Sequence, residues 1–531
     1  MITFDALTLK AFIQENQEFL TGARLQKIQQ PTRRDFIFGI RKNGENRKLY
    51  ININPQFHHL CFMNKENEVK RRIEIPKQPP MFCMLLRKYL ENSIIKKVNQ
   101  PENERILEFY IETYNEIGEQ IYLCLAIELM GKHSNIILYN YDTNIILGCA
   151  HNVGAEKSRE RELAGTLPYS YPPKQNKFDL LQYNGGLNYE TLSNDFYLIS
   201  TAFGKLCNGK SLEDLRNYIT LKNLNPAISK DYSYYSLYSE LLENNISQKS
   251  VNDMIDNYFS HYQETDKFLT LKNHLASICR QRYKRTINSI EKMSIQIQRE
   301  ENSEKYRLYG DLIMANLWDK KDYSAEIEVF DYENNKNITI ELDETLTLKG
   351  NANKFYKLYN KGKTSKQKLD EQKKELNCIK IWLEHIDYSL NSAQNYSDLE
   401  EIMPELIDNK ETFGKSVKTK AIEPKKIELE GFTVYVGKNN RQNDYIISKL
   451  AKDEDLWFHT KDCAGSHVLL KGSNPTEGLI YKCAKLAKEN SSCKNSSKIG
   501  VIYTKSKYLR KPPKSAPGYV TYKNEKEIII D

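Results

Sequence analysis

Several absences narrow this sequence before any motif is read. None of its ten cysteines, at 61, 83, 124, 149, 207, 279, 378, 463, 483 and 493, forms a Cys-x-x-Cys pair. That spacing argues against zinc knuckles and thioredoxin chemistry, and leaves reduced, mostly buried thiols as the expectation. The start Met1-Ile2-Thr3-Phe4-Asp5 lacks the basic residues and apolar run of a signal peptide. The longest apolar stretch, Ile121 to Met130, is ten residues long and carries Glu128, too short to span a bilayer. A sortase-type Leu-Pro-x-Thr-Gly anchor and a repeat array are missing too. A cytoplasmic protein with no membrane partner is therefore expected. Charge of one sign is also scarce: 78 Lys and Arg stand against 70 acidic residues, for a net +8. Any surface for a polyanion must come from local clustering.

Glycine is absent from 210 to 309, where Pro226 is the single proline, so helix is expected to dominate there. Phe268, Leu271, Leu275 and Ile278 keep three-four spacing, which slips around Arg280 to Arg285 and resumes at Ile287 and Ile290. A second run places Leu369, Leu376, Ile379, Leu383, Ile386 and Leu390 in register, with Gln372 filling the missing seam position. Two heptad stretches about a hundred residues apart predict an antiparallel coiled-coil arm with an insert at its far end.

At 531 residues the chain is long enough for two to four domains. The pattern predicts an α+β multidomain protein. Up to about 175, runs rich in branched and aromatic residues predict strands: Leu49 to Ile53, Arg105 to Ile111 and Asn135 to Tyr139. Pro79-Pro80 precedes a helix starting at Met81. After Pro424, Phe432 to Val436 and Ile499 to Tyr503 read as strands and Leu479 to Ala487 as a helix, a separate small α/β domain. The expected bounds are 1–175, 176–262, 263–420 and 421–531.

The last domain holds Asp455-Leu456-Trp457-Phe458-His459 and Gly465-Ser466-His467-Val468, then a loop with Lys505, Lys507, Arg510, Lys511 and Lys514 before Pro517-Gly518. Cations interleaved with Tyr503, Tyr508 and Tyr519 suit phosphate contact with base or sugar stacking. These segments, with Gly437-Lys438-Asn439-Asn440-Arg441-Gln442-Asn443-Asp444, resemble the RNA-binding module (NFACT-R) of the NFACT family. The segments Pro79 to Arg87 and Met130-Gly131-Lys132-His133-Ser134-Asn135 resemble that family's first domain (NFACT-N), and the likeness runs over nearly the whole chain.

What the resemblance implies is a ribosome-associated quality control factor. Such proteins bind obstructed large ribosomal subunits carrying a peptidyl-tRNA nascent chain complex, contact ribosomal RNA, and recruit tRNA. In the bacterial branch the recruited species is alanyl-tRNA. The ribosome's own peptidyl-transferase centre then adds an untemplated alanine tail, so no catalytic residue, cofactor or metal is expected in this chain. By the same resemblance, an Asp-Arg pair important for tailing falls on Glu104-Arg105 in Asn103-Glu104-Arg105-Ile106, where Glu replaces Asp. The planar fork of Arg105 suits phosphate or a base edge. Arg87, Lys132 and His133 complete the expected tRNA site; His459, His467, Lys507, Arg510 and Lys511 form the expected RNA site of the last domain. At fold level the first domain also resembles that of formamidopyrimidine-DNA glycosylases. Their N-terminal proline and following glutamate are replaced by Ile2 and Thr3, which removes the Schiff-base nucleophile.

Two patterns invite other readings. Gly204-Lys205-Leu206-Cys207-Asn208-Gly209-Lys210-Ser211 satisfies the P-loop spacing. The family places a helix-hairpin-helix here, whose glycine turn turns backbone N–H groups towards phosphate. His459 and His467 are eight apart without a third ligand at metal spacing, which favours packing or RNA contact. A fibronectin-binding surface adhesin is the alternative of a different class, and it would need a route to the surface that the sequence does not show.

Overall fold

The computed structural model describes residues 3–531 except 116, 157–159, 302, 319–321, 333, 408–422 and 514, and omits the side chain of 102. Ile2, Lys514 and the expected boundary at 420 therefore lie outside the described residues. The chain divides into two compact units, Met1–Lys267 and Phe268–Asp531.

The first unit opens with α1 (Ala6–Leu20), capped by Asp5, whose carboxylate accepts from the N–H of Thr8 at 2.8 Å. A meander follows: β1 (Arg24–Gln29), β2 (Asp35–Lys42), β3 (Glu45–Asn52) and β4 (His59–Phe62). Helices α2 (Lys65–Arg71) and α3 (Met81–Leu90) lead into β5 (Ile94–Asn99), β6 (Ile106–Tyr114), β7 (Gln120–Glu128), β8 (Asn135–Asn140) and β9 (Ile146–Cys149). All nine strands form one antiparallel sheet, β4-β3-β2-β1-β5-β6-β7-β8-β9. Strand β1 meets β5 only at their beginnings, Arg24 opposite Ile94, so the two halves diverge from that corner. Phe36, Phe38, Leu49 and Ile51 from one half share a single buried core with Leu107, Phe109, Leu125 and Ile127 from the other. Folding two halves over one core brings together the turns farthest from the corner.

The buried pair Arg71–Asp256, with Asn67, Gln263 and the Cys61 thiol around it, ties α2 to the start of α7 (Val251–Glu301). Between them lie a short turn of helix, α4 (Leu192–Asp195), then α5 (Thr201–Leu206) and α6 (Leu212–Ile219). A small sheet, β10 (Ala227–Ser229), β11 (Tyr235–Ser236) and β12 (Asn245–Ser247), interrupts the stretch expected to be helical. Freedom from glycine permits helix without compelling it. Here strand-favouring Ile228 on one side of the Lys230-Asp231-Tyr232 turn and Tyr234-Tyr235 on the other decide otherwise.

In the second unit, the rest of α7 lies antiparallel to α9 (Leu348–Ser392). The Nζ of Lys272 donates to the carbonyl of Asn391 at 3.2 Å near one end, and Lys366 meets Glu301 at 3.0 Å near the other. Leu275, Cys279, Leu383, Ile386 and Leu390 are fully buried in the seam, which α10 (Tyr396–Ile407) caps with Leu399, Ile402 and Leu406. The expected slip at Arg280 to Arg285 does not interrupt the contact, because half-buried Tyr283 and buried Thr286 continue it. Gln372 does not fill the seam; it faces solvent. At the far end α8 (Glu304–Ala315) and a hairpin, β13 (Glu326–Asp331) with β14 (Lys336–Glu341), form their own small core around Ile313, Ile327, Val329 and Ile340.

The final sheet comprises β15 (Lys425–Leu429), β16 (Phe432–Val436), β17 (Leu456–Thr460), β18 (Val468–Leu470), β19 (Ile499–Lys505) and β20 (Lys526–Ile530), ordered β15-β16-β18-β17-β19-β20. A short α11 (Asn440–Tyr445) follows β16, and α12 (Glu477–Glu489) packs Leu479, Cys483, Ala484 and Ala487 onto one face. The expectation of reduced thiols is corrected at one place: Cys463 and Cys493 are joined as a disulfide, while seven of the eight free cysteines are buried. Two half-exposed cysteines 30 residues apart carry no pairing signal in sequence.

Candidate nucleic-acid interface

In the first unit the turns far from the β1–β5 corner gather into one pole. The backbone N–H of Leu129 donates to the carbonyl of Arg105 at 2.8 Å, which fixes the end of β7 beside the start of β6. Buried Glu128 anchors that end, accepting from Arg161 Nη1 at 2.9 Å and Tyr169 Oη at 3.0 Å. Residues Gly131 to His133 then make a single 3₁₀ turn, with Gly131 in the left-handed region at φ 62°. A Cβ there would lie 3.7 Å from the Pro55 carbonyl of the β3–β4 turn. That contact joins the two halves of the sheet at this end.

Half-buried Arg105 has no side-chain partner among the described residues. Its neighbour Glu104 accepts from Gln175 Nε2 at 3.2 and 3.1 Å, so the Glu that replaces the family's Asp is tied to Gln175 and not to Arg105. Lys177 lies close enough to feel both; burial and then Arg105 depress it, against Glu104. Lys132 and His133 are exposed at the adjacent turn. Arg87 differs: its Nε donates to the Ile28 carbonyl at 2.7 Å and lies 3.7 Å from the Glu91 carboxylate, so part of its donor set is engaged within the fold. Sequence reading did not single out His58, which is 2% exposed, with neither ring nitrogen partnered among the described residues. Burial and the nearby Arg105 charge bring its pKa down to about 4, so the imidazole is neutral at physiological pH. Nothing in its spacing marks it.

The P-loop pattern folds otherwise. Ser200 caps α5, Gly204 lies within that helix, and Gly209 turns the chain at φ 80°. Ser211 caps α6, its side chain accepting from the N–H of Asp214 at 3.1 Å while Asp214 answers with a reciprocal bond. Its hydroxyl thus serves a helix end, and the element directly before α5 is the short helix α4, not a strand. The arrangement is helix, tight turn, helix.

In the last domain three motifs separated in sequence meet. Asn439 caps α11, and Asn443 Oδ1 accepts from the His467 N–H at 3.0 Å while its Nδ2 reaches the Gly465 carbonyl at 3.3 Å. A Cβ on Gly437 would lie 2.3 Å from that same Asn443 oxygen, which explains the glycine. Asp444 pairs with Lys511 and accepts from the N–H of Gly518 at 3.2 Å. Glu401 of α10 receives Asn439 Nδ2 at 2.6 Å and Gln442 Nε2 at 2.9 Å, which fastens the domain to the helical arm.

The two histidines expected to touch RNA point inward. His467 is 3% exposed, and His459 stacks between Trp457 and His385 of α9, at centroid distances of 5.8 and 5.7 Å. Burial holds His459 near a pKa of about 4 and His467 well below its usual value, so both pack as neutral rings. The basic loop is outside, as expected, but its lysines are occupied. Lys505 and Lys507 share Glu454 at 2.6 and 2.7 Å, and Lys511 holds Asp444. Exposed Arg510 alone of the loop's described cations has no side-chain partner. Among the described residues no cluster of three or more His, Cys, Asp or Glu is arranged to hold a metal, and no helix is long and apolar enough to cross a membrane.

An antiparallel sheet folded on itself, a helix-turn-helix, a long helical pair and a small sheet with an exposed basic loop define a multidomain α+β class of protein. The family model for the NFACT N-terminal and middle domains matches residues 5–196 and 209–425, and that for the NFACT protein RNA binding domain matches 425–524. The chain belongs to the NFACT family. It is 31% identical to the Rqc2 homolog RqcH of Bacillus subtilis (strain 168), across 100% of this chain and 98% of that one. It is 28% identical to the Rqc2 homolog RqcH of Streptococcus suis (strain 05ZYH33), with the same coverage. Among solved structures, the N-terminal part of the fibronectin/fibrinogen-binding protein from Streptococcus suis is 26% identical over 49% of this chain and 99% of that one, at a TM-score of 0.43.

Proposed function

We propose that this protein is a ribosome-associated quality control factor. It binds obstructed large ribosomal subunits that carry peptidyl-tRNA, and it recruits tRNA, charged with alanine, for untemplated C-terminal tailing. Peptide bonds form in the ribosome's own centre, and this chain supplies binding and placement. The observation that carries the reading is Arg105: a guanidinium unpaired among the described residues, at a pole with Lys132, Lys177 and His133 and a neutral His58, in a chain that also carries the family's RNA-binding domain. An Arg without a protein partner has its full donor fork available for phosphate or a base edge. Glu104 orients the neighbouring strand entry through Gln175, and Arg87 supports the pole from α3. Lys507, Arg510 and Lys511 contribute phosphate contacts in the last domain. The working division is 1–175, 176–262, 263–420 and 421–531, with the arm of the third segment holding the RNA-binding module of the fourth.

The test is sedimentation of the tagged full chain with cell extract, followed by tRNA sequencing and mass spectrometry of a stalled reporter's C-terminus. Wild type should travel with free large subunits more than with intact ribosomes. Arg105→Ala should still travel with them, yet recover little tRNA and make no tails. Equal recovery of large subunits and intact ribosomes, or normal tails from the variant, would sink the assignment.

A further inference from the structure

The pole extends beyond Arg105 in a direction the sequence did not mark. The β1–β2 turn carries Arg33 and Arg34, both exposed and both without a side-chain partner among the described residues. This turn belongs to the other half of the sheet from Arg105. The Arg34 carbonyl accepts from the N–H of Ile53 at 2.8 Å, which fixes the turn beside residues 53–58. The Pro55 carbonyl in that segment faces Gly131. From the next residues, Asn135 Nδ2 donates to the His151 carbonyl at 2.8 Å, and the His151 imidazole is held down by burial and by the charges of Arg34 and Arg33. A continuous row therefore runs from Lys177 and Arg105, through Lys132 and His133, to His151, Arg34 and Arg33. Glu104, already tied to Gln175, is the carboxylate on the Arg105 side, and Asp35 at the other end accepts from Tyr50 at 2.5 Å and Asn52 at 2.6 Å. Two buried polar groups in the same loops, the His58 ring and the Ser134 hydroxyl, lack a partner among the described residues.

We propose that Arg33 and Arg34 form a second phosphate-binding site for the same nucleic acid, so that its backbone crosses the pole from Arg105 to the β1–β2 turn. This rests on the reading of the pole as a tRNA site. Unpaired arginines on a turn gain from phosphate without first giving up a carboxylate, and two cationic stations on opposite halves of the sheet fix the direction of the strand between them. Half-buried His151, kept neutral between the stations, presents one donor and one acceptor, suited to a ribose or base edge and adding no charge.

The experiment measures binding of unfractionated tRNA to the full chain across a series of KCl concentrations. Arg33→Ala with Arg34→Ala should weaken binding about tenfold or more and flatten the salt dependence by about 1.4 to 1.8 in log–log slope, the loss of two phosphate contacts. Arg33→Lys with Arg34→Lys should restore most of the slope, because the charges return. Unchanged affinity and slope in the double Ala variant, with Arg105→Ala still weakened, would overturn this inference and leave the proposed function standing. Weakened binding at an unchanged slope, or no recovery with lysine, would also overturn it, since the effect would then act through the fold. If Arg105→Ala too binds tRNA normally, the reading of the pole itself falls.

Discussion

The sheet pole of the first unit and the basic loop of the last domain are both cationic, yet they are prepared differently. At the pole, Arg105, Arg33 and Arg34 have no carboxylate partners among the described residues. In the loop, Lys505, Lys507 and Lys511 each hold one. Exposed pairs of this kind are weak and exchange readily with phosphate, but the exchange subtracts from the gain. The pole is thus prepared for tight, oriented contact by planar forks, and the loop for adjustable contact by point charges. Their histidines differ as well. His58 is buried beside a cation, whereas His385, His459 and His467 pack together in a unit that also holds Glu405 of α10, whose carboxyl accepts from Trp382 Nε1 at 3.1 Å and is pushed up to about 7 by burial.

The largest expected effect tests whether the two regions are independent. Leu383→Asp places a charge in the α7–α9 seam where Leu383 is fully buried, at a cost of about 4 kcal/mol. The seam should melt, and the last domain should lose the His385 contact. Salt-dependent tRNA binding that needs Arg105 should persist. Its loss together with the arm, seen in the same titration, would join the two regions into one site.

Acid should separate the regions next. His459 is depressed to about 4, so the stability it permits is present above its ordinary 6.5 and lost as pH falls towards 4. Glu405 is raised from 4.5 to about 7, so its contribution is complete below 4.5 and is lost as pH rises through 7. On acidification the two oppose each other in the second unit. Glu405→Gln should therefore make the second unit lose stability more steeply between pH 7 and 4.5, by roughly 1–2 kcal/mol. Tryptophan fluorescence reads this unit selectively, because Trp318, Trp382 and Trp457 all lie within it. Parallel curves for variant and wild type would remove the compensation.

The pole itself should respond to Arg105→Ala with about tenfold weaker tRNA binding, equivalent to ~1.4 kcal/mol, and a salt slope lower by about one contact. A loss confined to one tRNA sequence would mark base readout in place of phosphate contact. The smallest effect belongs to the loop. Glu454→Gln frees Lys505 and Lys507, and RNA binding should tighten about two- to threefold with a steeper salt dependence. Unchanged binding would mean that the pairs hold the loop's shape and that phosphate never displaces them.

Much of this architecture was legible in the residues. Branched and aromatic runs at 49–53, 105–111, 135–139, 432–436 and 499–503 fall on strands apart from Ile53 and Arg105 at their ends, and Pro80 stands just before α3, because period and local backbone limits act within a few residues. Two heptad runs marked the arm, whose seam buries Leu275, Leu383, Ile386 and Leu390 together. Burial, pairing and convergence were decided by the tertiary structure. The motif histidines read as ligand-facing until Trp457 and His385 enclosed them, and the loop lysines read as free until Glu454 and Asp444, 51 and 67 residues away, met them. Arg33, His58, Arg105 and Lys132 are unremarkable one by one in the chain. They form a pole because the two halves of a sheet, joined only at a corner, close over one apolar core and carry their far turns to the same place. Short-range chemistry chooses helix, strand and turn; which charges end up unpaired is a property of what packs against them.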